Sequence, residues 1–321
     1  MTHKARIFKS SKRQFDCQIV ETKEVVQATA LATLLKEDHL VVGDWVNLKA
    51  PETSSDSWTI VGVNERQNAI YRNLPREQKK KVIASNVDLI LIVASAGKPS
   101  YKRGLVDRYL ARSSFWEIPA FVVFNKMDQY NPEEFSIRDE ADRLQWVDVE
   151  CFEVSAEIPE YRQQYLSQGF NELAQKLKGK TAILLGHSGV GKSRLITSLS
   201  HGKAQLLSGE LGKVGKGAHT TTWAELIDAE SFHLIDSPGV RSMSINDLTQ
   251  DELLYSFPDI NEFSTKCRFA SNCNHDESAK GCFFQTLDKT KREDQLILSR
   301  LESFKRMLDE VSNIPDWLKK S

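Results

Sequence analysis

No apolar run in this 321-residue chain approaches the ~20 residues that cross a bilayer; the longest strong one is Leu89–Ala94. The basic N-terminus, MTHKARIFKSSKR, is followed by no apolar segment, so it does not read as a secretion signal. Cysteine is scarce and odd in number: five residues, three of them between positions 267 and 282. That excludes a disulfide framework and favours a reducing compartment with a local metal site. Internal repeats and low-complexity stretches are absent. Neither sign of charge dominates, with 43 Lys+Arg against 44 Asp+Glu and a net charge of −1. What is present is an ordinary globular balance of 40% hydrophobic and 27% charged residues. At this length two or three domains are expected, in a soluble, cytoplasmic protein.

The neutral total hides segregation. Residues 1–100 carry 15 basic and 11 acidic side chains, residues 266–321 carry 11 and 9, and the middle is left at −7. Lys4, Arg6, Lys9, Lys12 and Arg13 crowd the first 13 residues with no acid among them. Arg76 and Lys79–Lys81 form a second cluster. Each run alone reads as a solvated tail or loop. Basic ends around an acidic middle also suit a large polyanion such as RNA.

Residues 15–73 read as short strands broken by turns, which suggests a small closed β-barrel. From about residue 82 apolar runs recur between amphipathic stretches: Val87–Ala94, Ala120–Phe124, Cys151–Val154, Thr181–Leu185 and Phe232–Ile235. This pattern predicts a parallel sheet covered on both faces. Beyond about 247 the chain reads as helical, ending in an amphipathic stretch at Lys291–Leu308. The predicted division is residues 1–75, a basic tail and barrel; 76–246, an α/β domain; and 247–321, a helical domain with a Cys/His cluster.

Gly186-His187-Ser188-Gly189-Val190-Gly191-Lys192-Ser193 fits G-x-x-x-x-G-K-[ST] between a predicted strand and a predicted helix. The glycines let successive backbone N–H groups converge on phosphates. Lys192 would meet the β/γ oxygens, Ser193 would ligate Mg²⁺, and Arg194 continues the nucleotide-contacting stretch. The motif specifies a nucleoside triphosphate and not which one.

Asn125-Lys126-Met127-Asp128 closes the strand Ala120–Phe124 and matches the N-K-x-D signature of GTPases. There the aspartate accepts from guanine N1–H and the exocyclic amine, a donor pair that adenine lacks. Ser155-Ala156-Glu157 resembles the second guanine loop, with the Ala156 N–H reaching O6. Asp236-Ser237-Pro238-Gly239 resembles the D-x-x-G loop, with Asp236 on Mg²⁺ through water and the Gly239 N–H on the γ-phosphate. Within His219-Thr220-Thr221-Thr222, Thr221 is the expected switch threonine on Mg²⁺. The base loops precede the phosphate loop, the reverse of the ordinary GTPase order.

This arrangement resembles a circularly permuted GTPase. With a barrel ahead and a Cys/His cluster behind, the chain is similar to the ribosome small-subunit-dependent GTPase A family over almost its whole length. The resemblance implies an N-terminal OB-fold, a central permuted P-loop GTPase domain and a C-terminal zinc domain. It also implies a cytoplasmic GTPase of late small-subunit maturation, stimulated by that subunit and contacting its rRNA. A monomer is expected, working on GTP and GDP and away from membranes.

Cys267-x₅-Cys273-x-His275-x₆-Cys282 offers three thiolates and one imidazole, the usual set for a closed tetrahedral Zn²⁺ site. One structural zinc ion is expected. The residue after D-x-x-G is Val240, where many GTPases carry a water-orienting glutamine. His219, similar to the family's candidate histidine, is the expected catalytic residue. Trp45, Trp58 and Tyr71 are candidates for base stacking or for the barrel core. Two other readings compete: a different P-loop NTPase or kinase, and a zinc-containing RNA-binding protein holding nucleotide as a structural ligand.

Overall fold

Alternation along the first strand joins two parts of the molecule. The computed structural model describes residues 2–11, 13–37, 40–53, 57–74, 79–158, 160–202, 224–236, 244–270, 273–276 and 278–313. Strand β1 (Thr2–Ser10) pairs antiparallel with β2 (Phe15–Ile19) and with β4 (Trp45–Lys49). Strand β3 (Val25–Ala30) pairs with β2 and, in parallel, with β5 (Trp58–Val63), which returns to β4. Helix α1 (Ala32–Glu37) follows β3. Five strands thus close on themselves and leave no free edge. Ala5, Ile7, Cys17, Val46, Leu48 and Ile60 fill the interior.

The N-terminal run is therefore a buried strand and not the solvated tail its charges predict. Ala5 and Ile7 face the barrel core, and Phe8 packs into the neighbouring core with its ring 5.8 Å from that of His233. Arg6 is only 7% exposed. Its guanidinium donates to Thr181 Oγ1 at 2.8 Å and to Asn86 O at 3.0 Å, and it covers the Trp45 ring at 5.0 Å. A period-2 pattern sends alternate residues to opposite faces, so β1 serves as a wall common to both units. Lys79–Lys81 likewise begin a strand: β6 (Ala69–Leu74) and β7 (Lys79–Ser85) pair as a hairpin spanning the predicted 75/76 division.

The central sheet follows from the apolar runs. Its strands are β8 (Leu89–Ser95), β9 (Ala120–Asn125), β10 (Glu150–Glu153), β11 (Thr181–Leu185), β12 (Glu225–Asp228) and β13 (His233–Asp236). Their order is β10-β9-β8-β11-β13-β12, parallel except for β12. Every residue of β8 and β11 is buried, as expected for central strands covered on both faces. Helices α2 (Arg103–Phe115) and α3 (Ile137–Gln145) contribute to one core, α4 (Phe170–Leu177) and α5 (Lys192–Leu199) to the other. Lys9 pairs with Glu225, so the barrel and the central sheet form one ladder.

Beyond residue 244, α6 (Gln250–Tyr255), α7 (Pro258–Ser264) and the long α8 (Arg292–Ser312) pack around Phe257, Leu301 and Phe304. Thr249 and Glu252 form a reciprocal capping box at the start of α6. Ala111 of α2 is buried in the same cluster, which seats this unit on the central domain. No described helix is long and apolar enough to cross a membrane.

Candidate functional site

The chain places β8, β9 and β10 to one side of β11, then β13 and β12 to the other. In open α/β sheets such a reversal leaves a crevice at the carboxyl ends of the strands. The phosphate loop lies there, between β11 and α5. Gly186, Gly189 and Gly191 all have positive φ. A Cβ on Gly186 would sit 2.4 Å from Val93 O, and one on Gly191 2.4 Å from Asn125 Nδ2. Only glycine fits at these two positions.

His187, Ser188 and Gly189 are exposed on the rim, as are Ser193 and Arg194 at the start of α5. Lys192 Nζ donates to Gly186 O at 2.7 Å and to His187 O at 3.1 Å, so the ammonium lies over the loop's own concavity. Helix α5 begins at Lys192 and points its positive end at the same place. Arg194 does not reach into the loop; it pairs with Glu157 at 2.6 Å and ties α5 to the Ser155–Glu157 turn.

Asn125 joins three loops. Fully buried, it donates to Val190 O at 2.9 Å in the phosphate loop and accepts from the Ala156 N–H at 3.0 Å. Lys126, in the left-handed region at φ 65°, donates to Lys98 O at 2.6 Å. Asp128 is exposed, and its carboxylate accepts from Ser155 Oγ at 2.5 Å. The Ala156 N–H assigned to guanine O6 is thus already given to Asn125, and O6 would be its second acceptor.

Asp236 ends β13 opposite Leu184, one residue short of the end of β11. That register places it beside the phosphate loop, where D-x-x-G is expected. His219, Thr221 and Gly239 lie outside the described residues. The three aromatic candidates separate. Trp45 is half-buried beneath Lys4 and Arg6, and Trp58 is half-buried against the barrel core. Tyr71 meets Phe115 and Trp116 of the central domain edge-on.

The Cys/His cluster is closed off from the surface. Cys267, Cys273, His275 and Cys282 are all buried, with their ligand atoms within 4.8 Å of one another. His275 Nδ1 lies 3.7 Å from both the Cys267 and Cys282 sulfurs, and its Nε2 is 3.1 Å from Ser264 Oγ. The Phe283 N–H donates to Cys267 Sγ at 3.3 Å. Soft donors, four-fold convergence and an oriented imidazole fit a structural Zn²⁺ site with no open position.

Two buried acids were not legible as functional. Glu153 closes β10 and holds the following loop; a carboxylate inside the apolar run Cys151–Val154 was the available signal. Asp107 lies within α2 and binds residues nearly two hundred positions away.

The RsgA GTPase family model matches residues 63–246, more than half of the chain. A Chlorobaculum parvum protein called small ribosomal subunit biogenesis GTPase RsgA is 32% identical over 281 residues, 85% of each chain. One of the same description from Bacteroides fragilis is 28% identical over 92% of this chain and 91% of its own. The crystal structure of YjeQ from Thermotoga maritima superposes with a TM-score of 0.74 at 23% identity, covering 98% of this chain and all of that one. YloQ, described as a circularly permuted GTPase, gives 0.71 at 21% identity over 98% and 96%. Both share the fold of this chain over nearly its whole length. The chain belongs to the RsgA GTPase family and is a GTP hydrolase.

Proposed function

We propose that this RsgA GTPase family member acts in maturation of the small ribosomal subunit, binding the subunit and its rRNA and hydrolysing GTP faster when bound. The observation that carries this reading is the double hydrogen bond of Asn125, which brings the phosphate loop and both base loops into one crevice. Full-length relatives described as small-subunit biogenesis GTPases supply the setting. The protein works in the cytoplasm as a monomer.

In the bound state the β/γ-phosphates occupy the arc of Gly186–Gly191, with Lys192 turned from the loop carbonyls to the phosphate oxygens. Ser193 and Thr221, with Asp236 through a water, would hold Mg²⁺, which would supply positive charge to the phosphate oxygens. Asp128 reads the guanine edge, the Lys126 stem lies along the base, and Ala156 meets O6. The Gly239 N–H meets the γ-phosphate, and His219 orients the attacking water in place of the missing glutamine. Cys267, Cys273, His275 and Cys282 hold zinc. The proposed units are the barrel to about residue 75, the GTPase domain to about 246 and the zinc unit beyond, with the β6–β7 hairpin straddling the first division.

The test is GTP turnover alone, with purified small subunits and with large subunits. Stimulation by small subunits only is expected; equal stimulation by both, or by neither, overturns the ribosomal reading. The same assay separates the competing enzyme class, since Asp128→Asn should abolish preference for GTP over ATP. The modest basic excess of the two ends predicts subunit binding that weakens as salt rises from low to physiological ionic strength.

A further inference from the structure

Glu153 is 1% exposed, yet among the described residues no lysine, arginine or histidine pairs with it. A buried carboxylate without a cation is costly unless hydrogen bonds replace its water. Here four do, and all come from one short loop. Oε1 accepts from the Tyr161 hydroxyl at 2.5 Å and the Gln164 N–H at 2.8 Å; Oε2 accepts from the Tyr165 and Leu166 N–H groups, each at 2.8 Å. The Glu153 N–H itself donates to Gln168 O at 2.9 Å.

The loop so gathered begins at the guanine-side turn. The Ile158 N–H donates to Ser155 O at 3.2 Å and the Tyr161 N–H to Ile158 O at 3.0 Å. Ser155 in turn donates its hydroxyl to Asp128. A chain of contacts therefore runs Glu153, Tyr161, Ile158, Ser155, Asp128. Burial, then Glu153, and more weakly the Asp128 charge push the Tyr161 hydroxyl above its ordinary range, consistent with two carboxylates near one phenol.

We infer that Glu153 is a positioning residue for guanine recognition: by fastening residues 161–166 to the end of β10 it fixes the Ser155 turn, and through it the rotamer of Asp128. This rests on the reading of Asp128 as the group that accepts from the base. Two features favour a role beyond packing. The four bonds to one side chain cross-link a segment adjacent in sequence to the base loop, not distant parts of the fold. They also need an acceptor at both oxygens, which an amide cannot supply, because its Nε2 would face N–H donors.

The experiment compares GTP with inosine triphosphate, which lacks only the exocyclic amine that Asp128 accepts. Steady-state kinetics are measured for the full-length protein, Glu153→Gln and Tyr161→Phe, with folding checked by circular dichroism. For Glu153→Gln, KM for GTP should rise about tenfold with kcat changed less than about threefold, and the GTP-over-inosine-triphosphate preference in kcat/KM should fall by a similar factor. Tyr161→Phe, which removes one donor only, should move both quantities the same way by a smaller amount. It carries the test if Glu153→Gln does not fold. An unchanged preference in folded variants, or an equal loss for both nucleotides, overturns the inference. A wild-type protein indifferent to the two nucleotides overturns the reading of Asp128 itself, and the positioning role with it.

Discussion

Arg300, on α8, donates to Asp107 of α2 at 2.7 Å, 193 positions away in sequence. Asp107 is wholly buried and also accepts from Arg143 at 2.9 Å and from Ser303 at 2.5 Å, while Arg300 turns its Nε to Asp259 at 2.9 Å. Three elements, α2, α3 and α8, thus meet on one carboxylate. Arg108 with Glu310, and Arg112 with Asp247 and Ser244 O, add further contacts between α2 and the C-terminal unit. Removing Asp107 takes a buried counter-charge from two arginines at once, leaving Arg300 with Asp259 alone and Arg143 with Glu140 alone. Asp107→Ala should therefore destabilise the protein by roughly 3–5 kcal/mol, read by urea denaturation at neutral pH. A change under about 1 kcal/mol, the size of an exposed pair, would show the network to be solvated.

The same group sets a pH window. Burial pushes the Asp107 carboxyl up, but Arg300, Arg143 and the Ser303 hydroxyl outweigh it and hold it below the ordinary value. A carboxyl depressed in the folded state contributes fully above its unfolded value, about 4, and loses that contribution as pH falls through the folded one. The stability gap between wild type and Asp107→Asn should hold from pH 7 to 5 and shrink below about pH 4. Urea midpoints of both proteins across that range check it.

Metal removal should unseat the C-terminal unit. The Cys/His residues lie in the same apolar cluster as Phe284, Leu301 and Phe304. Structural zinc supplies apparent binding free energy on the order of 10 kcal/mol, comparable to the whole stability of a domain. One zinc per chain is expected by elemental analysis. A strong chelator, or Cys282→Ser, should raise hydrogen exchange in residues 258–312, and added zinc should restore protection to the wild type alone. Unchanged exchange after complete zinc loss would contradict a structural role.

Where apolar pattern alone decides, the fold was legible. Thr181–Leu185 is a strand with the bounds the sequence suggests, and Lys291–Leu308 differs from α8 by little more than one turn. The phosphate loop and Asn125 were legible because glycine spacing and the strand–loop–helix context are local. Thr2–Ser10 was misread because its cations mask the alternation of Ala5 and Ile7, and because the buried Arg6 is satisfied by hydrogen-bond acceptors at Gly43, Asn86 and Thr181 that only the fold assembles. Asp107 and Glu153 were missed for the same reason. A buried acid is recognised by its donors, and those of Asp107 come from α3 and α8.

Gly191 offers the sharpest local test of the nucleotide crevice. Its φ of 93° is strained for any residue with a Cβ, and that Cβ would press to 2.4 Å from Asn125 Nδ2. The Asn125 amide cannot yield cheaply, since it holds Val190 O on one side and the Ala156 N–H on the other. Gly191→Ala should therefore break the tie between phosphate and base loops as well as distort the loop itself. Asn125→Ala removes the tie without the strain. Leaving a buried donor and acceptor unmet costs about 1–3 kcal/mol, equivalent to roughly a 5- to 150-fold weaker Kd. We expect Asn125→Ala to weaken GDP binding within that range and Gly191→Ala to weaken it further, as measured by titration calorimetry. If Gly191→Ala bound GDP as tightly as wild type, the crevice as described would not be the nucleotide site.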